Sequence, residues 1–526
     1  MRTVRASQLS VELSTAHEFF PGGDPEISGI TNDSRSVSPG DIYAALEGAH
    51  TDGHRYIEDA VAAGAVAVLC SKRPHLKDSS VALFVAPDAR LALSEASHVL
   101  YGRPSEQLTV IGITGTDGKT TTSSFAHQLL RSIGYRVGLL SSALIDLGEG
   151  EKPNLLHQST PEAPEVHRVL RTMRDAGLTH AVVESTSHGL SARTCRLAHV
   201  HYRAAVLTNM SPEHLEFHGT FDQYRHDKAN LFRALDHGCY AAALMEDQSV
   251  AATRTAAPER LEKSIAVVNA EDPVAPYFAD ATTQEISYFS LGDKGEYRPL
   301  KMATSSTGTK LEITTPFGLL RTELSIPGEF NVANLLAAVA VVQQLGTGEN
   351  SAIETAIRAI RPVHGRMSVV QKKPFGVVVD FAHTPGSFER VLPFFRDITE
   401  GRLIVVFGSA GERDVQKRAK QGAIADANAD IIFLTDEDPR SEDRHSILEQ
   451  IATGCTAHVA GENLFLIPDR RDAIQRAIEN AREGDCVLLL GKGHETSIIT
   501  ADGALPWNEE GVAQELLAAN MRTRRR

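Results

Sequence analysis

The sequence is poor in cysteine, in positive charge and in long apolar runs. Its 526 residues include five cysteines, Cys70, Cys195, Cys239, Cys455 and Cys486. None forms a CxxC pair or a metal-ligand spacing, which points to free thiols in a reducing compartment. Lys and Arg total 53 against 67 Asp and Glu, a net charge of -14. That shortage of cations argues against broad nucleic-acid binding through phosphate neutralisation. The arginines of the tail, Arg522, Arg524, Arg525 and Arg526, then read as a solvated end. No stretch approaches ~18 uninterrupted apolar residues, so no membrane insertion is expected. The beginning of the sequence lacks the apolar core of a signal peptide, and the expected location is the cytoplasm.

What the sequence does contain is one recurring pattern: a short run rich in β-branched residues, a polar or Gly-bearing turn, then a helical stretch. It appears in "LTVIGITGTDGKTTT", "HAVVESTSHGL", "AAVLTNMSPEH", "VVVDFAHTPGS", "LIVVFGSAGERD", "IIFLTDEDPR" and "CVLLLGKGHE". Such runs predict parallel α/β sheets, in which ligands bind beyond the carboxyl ends of the strands. All seven polar turns are expected there. Three runs precede residue 215 and four follow residue 376. Between them, 286–328 reads as hairpin strands, followed by an apolar helix from about Asn331 to Leu345. A separate unit with its own strands and an Ala-rich helix precedes Tyr101. Length suggests about three domains, which we place at 1–103, 104–361 and 362–526.

The segment "TVIGITGTDGKTTT" is a strand, a glycine-bearing turn and a helix start. Gly115 and Gly118 let backbone N–H groups approach phosphate oxygens, Lys119 adds a point charge, and Thr120 or Thr121 offers a hydroxyl to Mg²⁺. The strict GxxxxGK[ST] pattern is not met, because its first glycine position is Ile113. Glu184 ends the next strand, where a carboxylate beside a phosphate loop suits Mg²⁺ better than a hydrolase triad built on the adjacent Ser187 and His188. His214 and His218 stand four residues apart and His226 follows, yet the HExxH order is missing. Lys228 by itself reads as a surface lysine. The acid-rich stretch "TDEDPRSED", residues 435–443, follows the apolar run Ile431–Leu434 and by itself reads as a solubilising loop.

Taken together, the segments "DSRSVSPGDIYAALEG", "DGHRYI", "GTDGKTTT", "ESTSHGL", "TNMSPEHLEFHGT", "GEFNVANLLAA", "PVHGRM", "VDFAHTP", "DEDPR" and "GKGHE" resemble the Mur ligases, and within them the MurE type. The resemblance spans nearly the whole chain. It implies three domains: an N-terminal α/β domain for the UDP sugar, a central P-loop ATPase domain with a parallel sheet, and a C-terminal Rossmann-like domain for the incoming amino acid. The implied reaction is ATP-dependent and forms an amide on the D-Glu side chain of UDP-MurNAc-L-Ala-D-Glu through an acyl phosphate, with Mg²⁺ as metal. A free diamino acid is the second partner, and a monomer is expected.

By position, the resemblance assigns Gly115, Thr116, Asp117, Gly118, Lys119, Thr120 and Thr121 to ATP phosphates, with Asn331 and Asn334 on adenine. Arg366, Asp380 and His383 reach the nucleotide from the C-terminal domain. Thr120, Glu184, His214 and a carbamylated Lys228 are the implied metal set. Carbamylation turns a cation that repels Mg²⁺ into an anionic oxygen ligand. Asn32 and Ser34 match the uridine segment, and Gln158, Ser159, Thr160, Thr186 and Arg193 the sugar-peptide contacts. The sequence departs from the family there: Gln158 replaces an Asn, and Ala192 and Thr194 stand where a Gln and an Arg are usual, with Arg193 and Arg196 nearby.

Arg413, Asp438, Pro439, Arg440, Gly491 and Glu495 match the amino-acid contacts, with Asp438 in place of an Asn. An ionised Asp438 facing the distal end of the amino acid favours lysine or ornithine over meso-diaminopimelate, while Arg413 argues the other way. Three alternatives remain at this point: the tripeptide:D-Ala-D-Ala ligase of the same family, folylpolyglutamate synthase, and a non-catalytic P-loop binding protein.

Overall fold

The computed structural model describes residues 3–48, 51–154, 156, 158–246, 263–305, 308–346 and 348–524; Arg525 and Arg526 of the tail lie outside them. Among the described residues no helix is long and apolar enough to cross a membrane. All five cysteines are buried free thiols.

Three sheets organise the chain. The N-terminal sheet has the spatial order Glu18–Phe20, Ala82–Val85, Ala67–Cys70, Asp41–Ala45, Gly29–Thr31, parallel except for its first strand. Helix Ala89–Leu100 covers one face, packing Ala92, Leu93, Ala96 and Val99 against Ile30, Ile42, Ala67 and Phe84. Asp88 starts this helix by accepting the N–H groups of Arg90 and Leu91 at 3.1 and 2.9 Å, a cap worth about 1 kcal/mol.

The central sheet has eight strands, and six are parallel in the order Val137–Leu140, His180–Glu184, Thr109–Thr114, Ala204–Leu207, Ile265–Asn269, Ile286–Phe289. Their near-continuous apolar runs follow from burial on both faces. Helices Lys119–Ser132 and Glu329–Gln344 cover one face, and Ala163–Asp175 and Phe221–His237 the other. Helix Glu329–Gln344 is apolar all round because it is enclosed all round: the three-stranded antiparallel sheet Arg298–Ser305, Gly308–Thr315, Gly318–Leu324 packs on its outer side. The hairpins expected over 286–328 therefore begin later than the sequence suggests. Ile286–Phe289 pairs in parallel with Ile265–Asn269 as the edge of the central sheet, where only half of its residues are buried, and the resulting alternation mimics a hairpin strand.

The C-terminal sheet runs Ser368–Gln371, Gly376–Asp380, Cys486–Leu490, Leu403–Phe407, Ile431–Leu434, Leu464–Leu466, parallel except at its first strand. All seven runs are parallel strands of the second and third sheets, with their polar turns at the carboxyl ends; after Cys486–Leu490, however, the expected helix is replaced by the hairpin Ser497–Thr500, Gly503–Pro506, where the β-branched Ile498, Ile499 and Thr500 favour a strand.

Candidate active site

The strand Thr109–Thr114 delivers the loop 115–118 into the start of helix Lys119–Ser132. Gly115 and Gly118 have φ of 146° and 81°. A Cβ on Gly115 would lie 1.9 Å from Thr208 Oγ1, and one on Gly118 2.2 Å from Asn334 Oδ1. Only glycine fits at either place, and the turn leaves the first N–H groups of a long helix facing outward, where an anion is favoured. Lys119 Nζ donates to the Thr116 carbonyl at 2.7 Å. Thr120 Oγ1 donates to Glu184 Oε2 at 3.0 Å, and the buried Glu184 also accepts from the backbone N–H and hydroxyl of Ser142.

Lys228 is not on the surface. It is 1% exposed, it donates to the Gly115 carbonyl at 2.6 Å, and it lies over the Tyr224 ring at 4.6 Å. Burial, reinforced by the charge of Lys119, holds its pKa well below the ordinary lysine value. His214 adopts a left-handed backbone, φ 55°, between Glu213 and Glu216 at 3.6 Å each, with its ring 6.4 Å from that of Tyr224. The other two histidines of this segment diverge: His218 pairs with Asp227 at 2.7 Å, and His226 faces the Tyr277 hydroxyl at 3.3 Å. They form no zinc triad.

Glu213, which the sequence reading passed over, occupies the middle of this group. Burial would raise its pKa, but the charges of His214, His383, Lys119 and Lys228 outweigh that and hold it below the usual carboxylate value. His383 belongs to the C-terminal unit and comes within 3.8 Å of Glu213. Arg366 of the same unit stacks on Phe381 at 4.2 Å and reaches Thr120 Oγ1 at 3.4 Å. Asp380 accepts the N–H groups of Met367 and Ala382 at 2.8 Å each, which fixes the loop carrying Arg366. Arg390, also unanticipated, forms an ion pair with Asp117 of the glycine loop. Between the two units lies a cavity of about 670 Å³, lined among others by Gly118, Asn331, Asn334, Arg366, His383 and Arg390. It opens at the carboxyl ends of both parallel sheets, where such folds bind ligands. Asn334 Oδ1 accepts from Thr122 at 3.3 Å, and the Asn331 amide donates to the Pro327 carbonyl at 2.8 Å.

The sugar-peptide candidates divide. Thr160 bonds the Glu184 carbonyl and the Thr186 hydroxyl, at 3.2 and 2.9 Å. Arg196, rather than Arg193, is held at this segment, by the Thr160 carbonyl at 3.0 Å and Glu162 at 2.5 Å. Arg193 stacks on Phe217 at 4.6 Å and bonds its carbonyl. Gln158 is exposed and Ser159 half-buried beside Thr160. Asn32 and Ser34 sit half-buried past the strand Gly29–Thr31 of the N-terminal sheet.

The acid-rich turn corrects the charge argument made for it. Asp438 does not present a free charge to a ligand: its Oδ1 accepts from Lys492 Nζ at 2.7 Å and from the Ile499 N–H at 2.9 Å. Lys492 is fully buried and also pairs with Glu495 at 2.6 Å. Burial pulls its pKa down, but Glu495 and Asp438 together raise it, so it stays an ammonium. Burial raises the pKa of Glu495. The acid that remains open is Glu437, whose buried Oε2 has no hydrogen-bond partner. A Cβ on Gly491 would come within 3.1 Å of that oxygen. Arg440 follows Pro439 with φ 55°, its N–H donating to the Ile499 carbonyl at 2.9 Å. Arg413 is exposed and its charge helps hold the Glu216 carboxyl at about 2, after the larger effect of the His214 hydrogen bond.

Three family profiles match successive parts of the chain: "Mur ligase family, catalytic domain" over 26–100, "Mur ligase middle domain" over 113–261 and 248–342, and "Mur ligase, glutamate ligase domain" over 365–493. A UDP-N-acetylmuramyl-tripeptide synthetase of Roseiflexus sp. is 42% identical over 504 residues, covering 95% of this chain and 96% of its own length. The chain belongs to the Mur ligase family. A second Mur ligase, the UDP-N-acetylmuramyl-tripeptide synthetase of Deinococcus radiodurans, is 39% identical over 98% of this chain and all of its own length. The UDP-N-acetylmuramoyl-L-alanyl-D-glutamate--2,6-diaminopimelate ligase of Geobacillus kaustophilus is 35% identical over 94% of this chain and 95% of its own. A solved structure of a ligase of that description superposes with a TM-score of 0.63 at 27% identity, over 99% of this chain and 100% of the other.

Mur ligases are ATP-dependent, ADP-forming enzymes, and the residues present fit ATP. The glycine cradle has no room for side chains, Lys119 and Lys228 make their hydrogen bonds to neutral carbonyls, and the cavity is bounded by two units. Arg390 and Lys492 were missed because their partners, Asp117 and Asp438, are distant in sequence, Glu213 because His383 reaches it from another unit, and Glu437 because only the fold leaves its buried oxygen without a partner. The one local signal was position: Glu213 closely follows a parallel strand, as Glu184 ends one.

Proposed function

We propose that this Mur ligase joins a diamino acid, namely lysine, ornithine or meso-diaminopimelate, to the D-Glu side-chain carboxylate of UDP-MurNAc-L-Ala-D-Glu, a MurE-type step of peptidoglycan synthesis. The observation that carries the reading is the convergence of Lys119, Thr120, Glu184, Glu213 and Lys228 around a glycine cradle that Arg366 and His383 approach from the C-terminal unit. The names of the full-length relatives support the substrate class. The cavity, and the partners already found for Asp380 and Asn334, support nucleotide binding between the two units.

A carboxylate resists attack by an amine, so it is activated first. The D-Glu carboxylate oxygen attacks the terminal phosphorus of ATP, the bond to the bridging oxygen breaks, and ADP leaves. The amino group of the incoming diamino acid then attacks the acyl carbon, and phosphate departs from the tetrahedral intermediate as the amide forms. Lys119 and the helix N–H groups hold phosphate oxygens, while Arg366 neutralises charge from the opposite wall. The Thr120 hydroxyl, Glu184, His214 and a carbamylated Lys228 would hold Mg²⁺, which supplies further charge neutralisation when bound. The depressed pKa of Lys228 favours the free amine that carbamylation requires. Glu437, Arg413 and Arg440 remain to select the amino acid, since Lys492 cancels the charge of Asp438 and removes the ground for preferring lysine or ornithine.

In a phosphate-release assay, turnover should need both UDP-MurNAc-dipeptide and a diamino acid, and a panel of the three candidates should name the one used. Turnover with a folate in place of the UDP sugar would overturn the reading.

A further inference from the structure

Away from the cleft, histidines gather where the N-terminal unit packs on the central one. His98 comes from helix Ala89–Leu100, His167 from helix Ala163–Asp175, and His201 from the segment before strand Ala204–Leu207. Glu106 ends the short turn Pro104–Glu106 that joins the two units. Its Oε1 stands 3.1 Å from His98 Nε2 and 3.5 Å from His201 Nε2, and the three ligand atoms all lie within 4.8 Å of one another.

Zinc bonds of about 2.0–2.2 Å in a tetrahedron put neighbouring ligand atoms roughly 3.3–3.5 Å apart. Two of the three separations are already close to that edge. A separate observation points the same way. His167 is 0% exposed and neither of its ring nitrogens has a hydrogen-bond partner, although its ring lies 5.2 Å from that of His98. An imidazole buried this way loses the hydration of its N–H with no bond in return, and native interiors seldom leave such a group without a reason.

We propose that His98, Glu106, His201 and His167 form a site for a transition-metal ion of the zinc class that fastens the N-terminal unit to the central unit. Three imidazoles and one carboxylate select zinc, cobalt or nickel over magnesium, which prefers oxygen. Glu106 is 31% exposed at its side chain and gives the ion a route in from solvent. The site lies outside the glycine loop and its carboxylates, and holds whichever amino acid the enzyme uses.

The test uses the full chain, stripped with chelator and returned to buffer with excess Mg²⁺ so that oxygen-rich sites are filled. Titration with Co²⁺ should develop an intense tetrahedral visible absorption that saturates at a single equivalent, Zn²⁺ should bleach it stoichiometrically, and Zn²⁺ should raise the melting temperature. The double variant His98→Gln/His201→Gln should lose both the absorption and the thermal shift. Glu106→Gln, at the exposed end of its turn, should weaken Co²⁺ binding about tenfold or more while the chain without metal keeps a cooperative thermal unfolding transition. A weak octahedral spectrum, or an absorption unchanged in Glu106→Gln, would overturn the proposal.

Discussion

The phosphate loop and the acid-rich turn both sit at the carboxyl ends of parallel strands, one in the central sheet and one in the C-terminal sheet, and they treat charge in opposite ways. In the loop, Lys119 bonds a neutral carbonyl, and the carboxylate that feels its charge, Glu213, is shared with His214, His383 and Lys228, so Lys119 has no dedicated counterion and its charge is left for an anion. In the turn, Asp438 is cancelled by Lys492, Asp436 by Arg444 and Glu442 by Arg418. A charged motif therefore announces a ligand only where the protein does not supply the countercharge itself.

Removing a countercharge in the turn is the harshest way to break this contrast. Lys492→Met leaves Asp438 and Glu495 without their cation, and unfolding by denaturant should register a loss of about 3–5 kcal/mol. Adding Asp438→Asn to that variant should recover much of it; a single variant as stable as the parent would mean the pair does not matter. In the loop, the corresponding change acts on rate. Lys228→Ala should lower phosphate release by about 10²–10³-fold with little change in melting temperature, and bicarbonate should not restore it. Near-normal turnover would remove Lys228 from the mechanism.

Two milder changes sharpen the contrast. Glu437→Gln alters the acid of the turn whose buried oxygen has no hydrogen-bond partner, and should weaken use of the amino acid by about 1–3 kcal/mol in kcat/KM while KM for ATP stays put. If Asp438→Asn has the larger effect instead, the assignment of the open acid is wrong. Arg390→Ala breaks a partly exposed pair with Asp117, so KM for ATP should rise only by the equivalent of about 0–1 kcal/mol; a loss as large as that of Lys228→Ala would show the pair to be part of the chemistry.

Much of the architecture was legible because parallel strands buried on both faces have to be apolar throughout, and their turns have to be polar. The seven runs carry that signature, as does the glycine loop, where the residue type follows from a missing Cβ. Ile286–Phe289 misled because an edge strand of a parallel sheet is half-buried and alternates like a hairpin. The counterions were illegible for a different reason. Lys492 lies 54 residues from Asp438, and Arg390 lies 273 residues from Asp117; each pair exists only after separate strand ends have been brought to one edge. Lys228 looked like a surface residue because nothing near it in sequence reveals that its helix turns it beneath Gly115.

Helix Glu329–Gln344 carries one more lesson. Its amino end supplies Asn331 and Asn334 to the cavity, and the rest of it is clamped between two sheets. That side of the cavity is an anvil, fixed by the same contacts that hold the central unit folded. The wall that faces it is carried by the C-terminal unit through Arg366, His383 and Arg390, so substitutions there can reshape the opening without touching the contacts that hold the central unit folded.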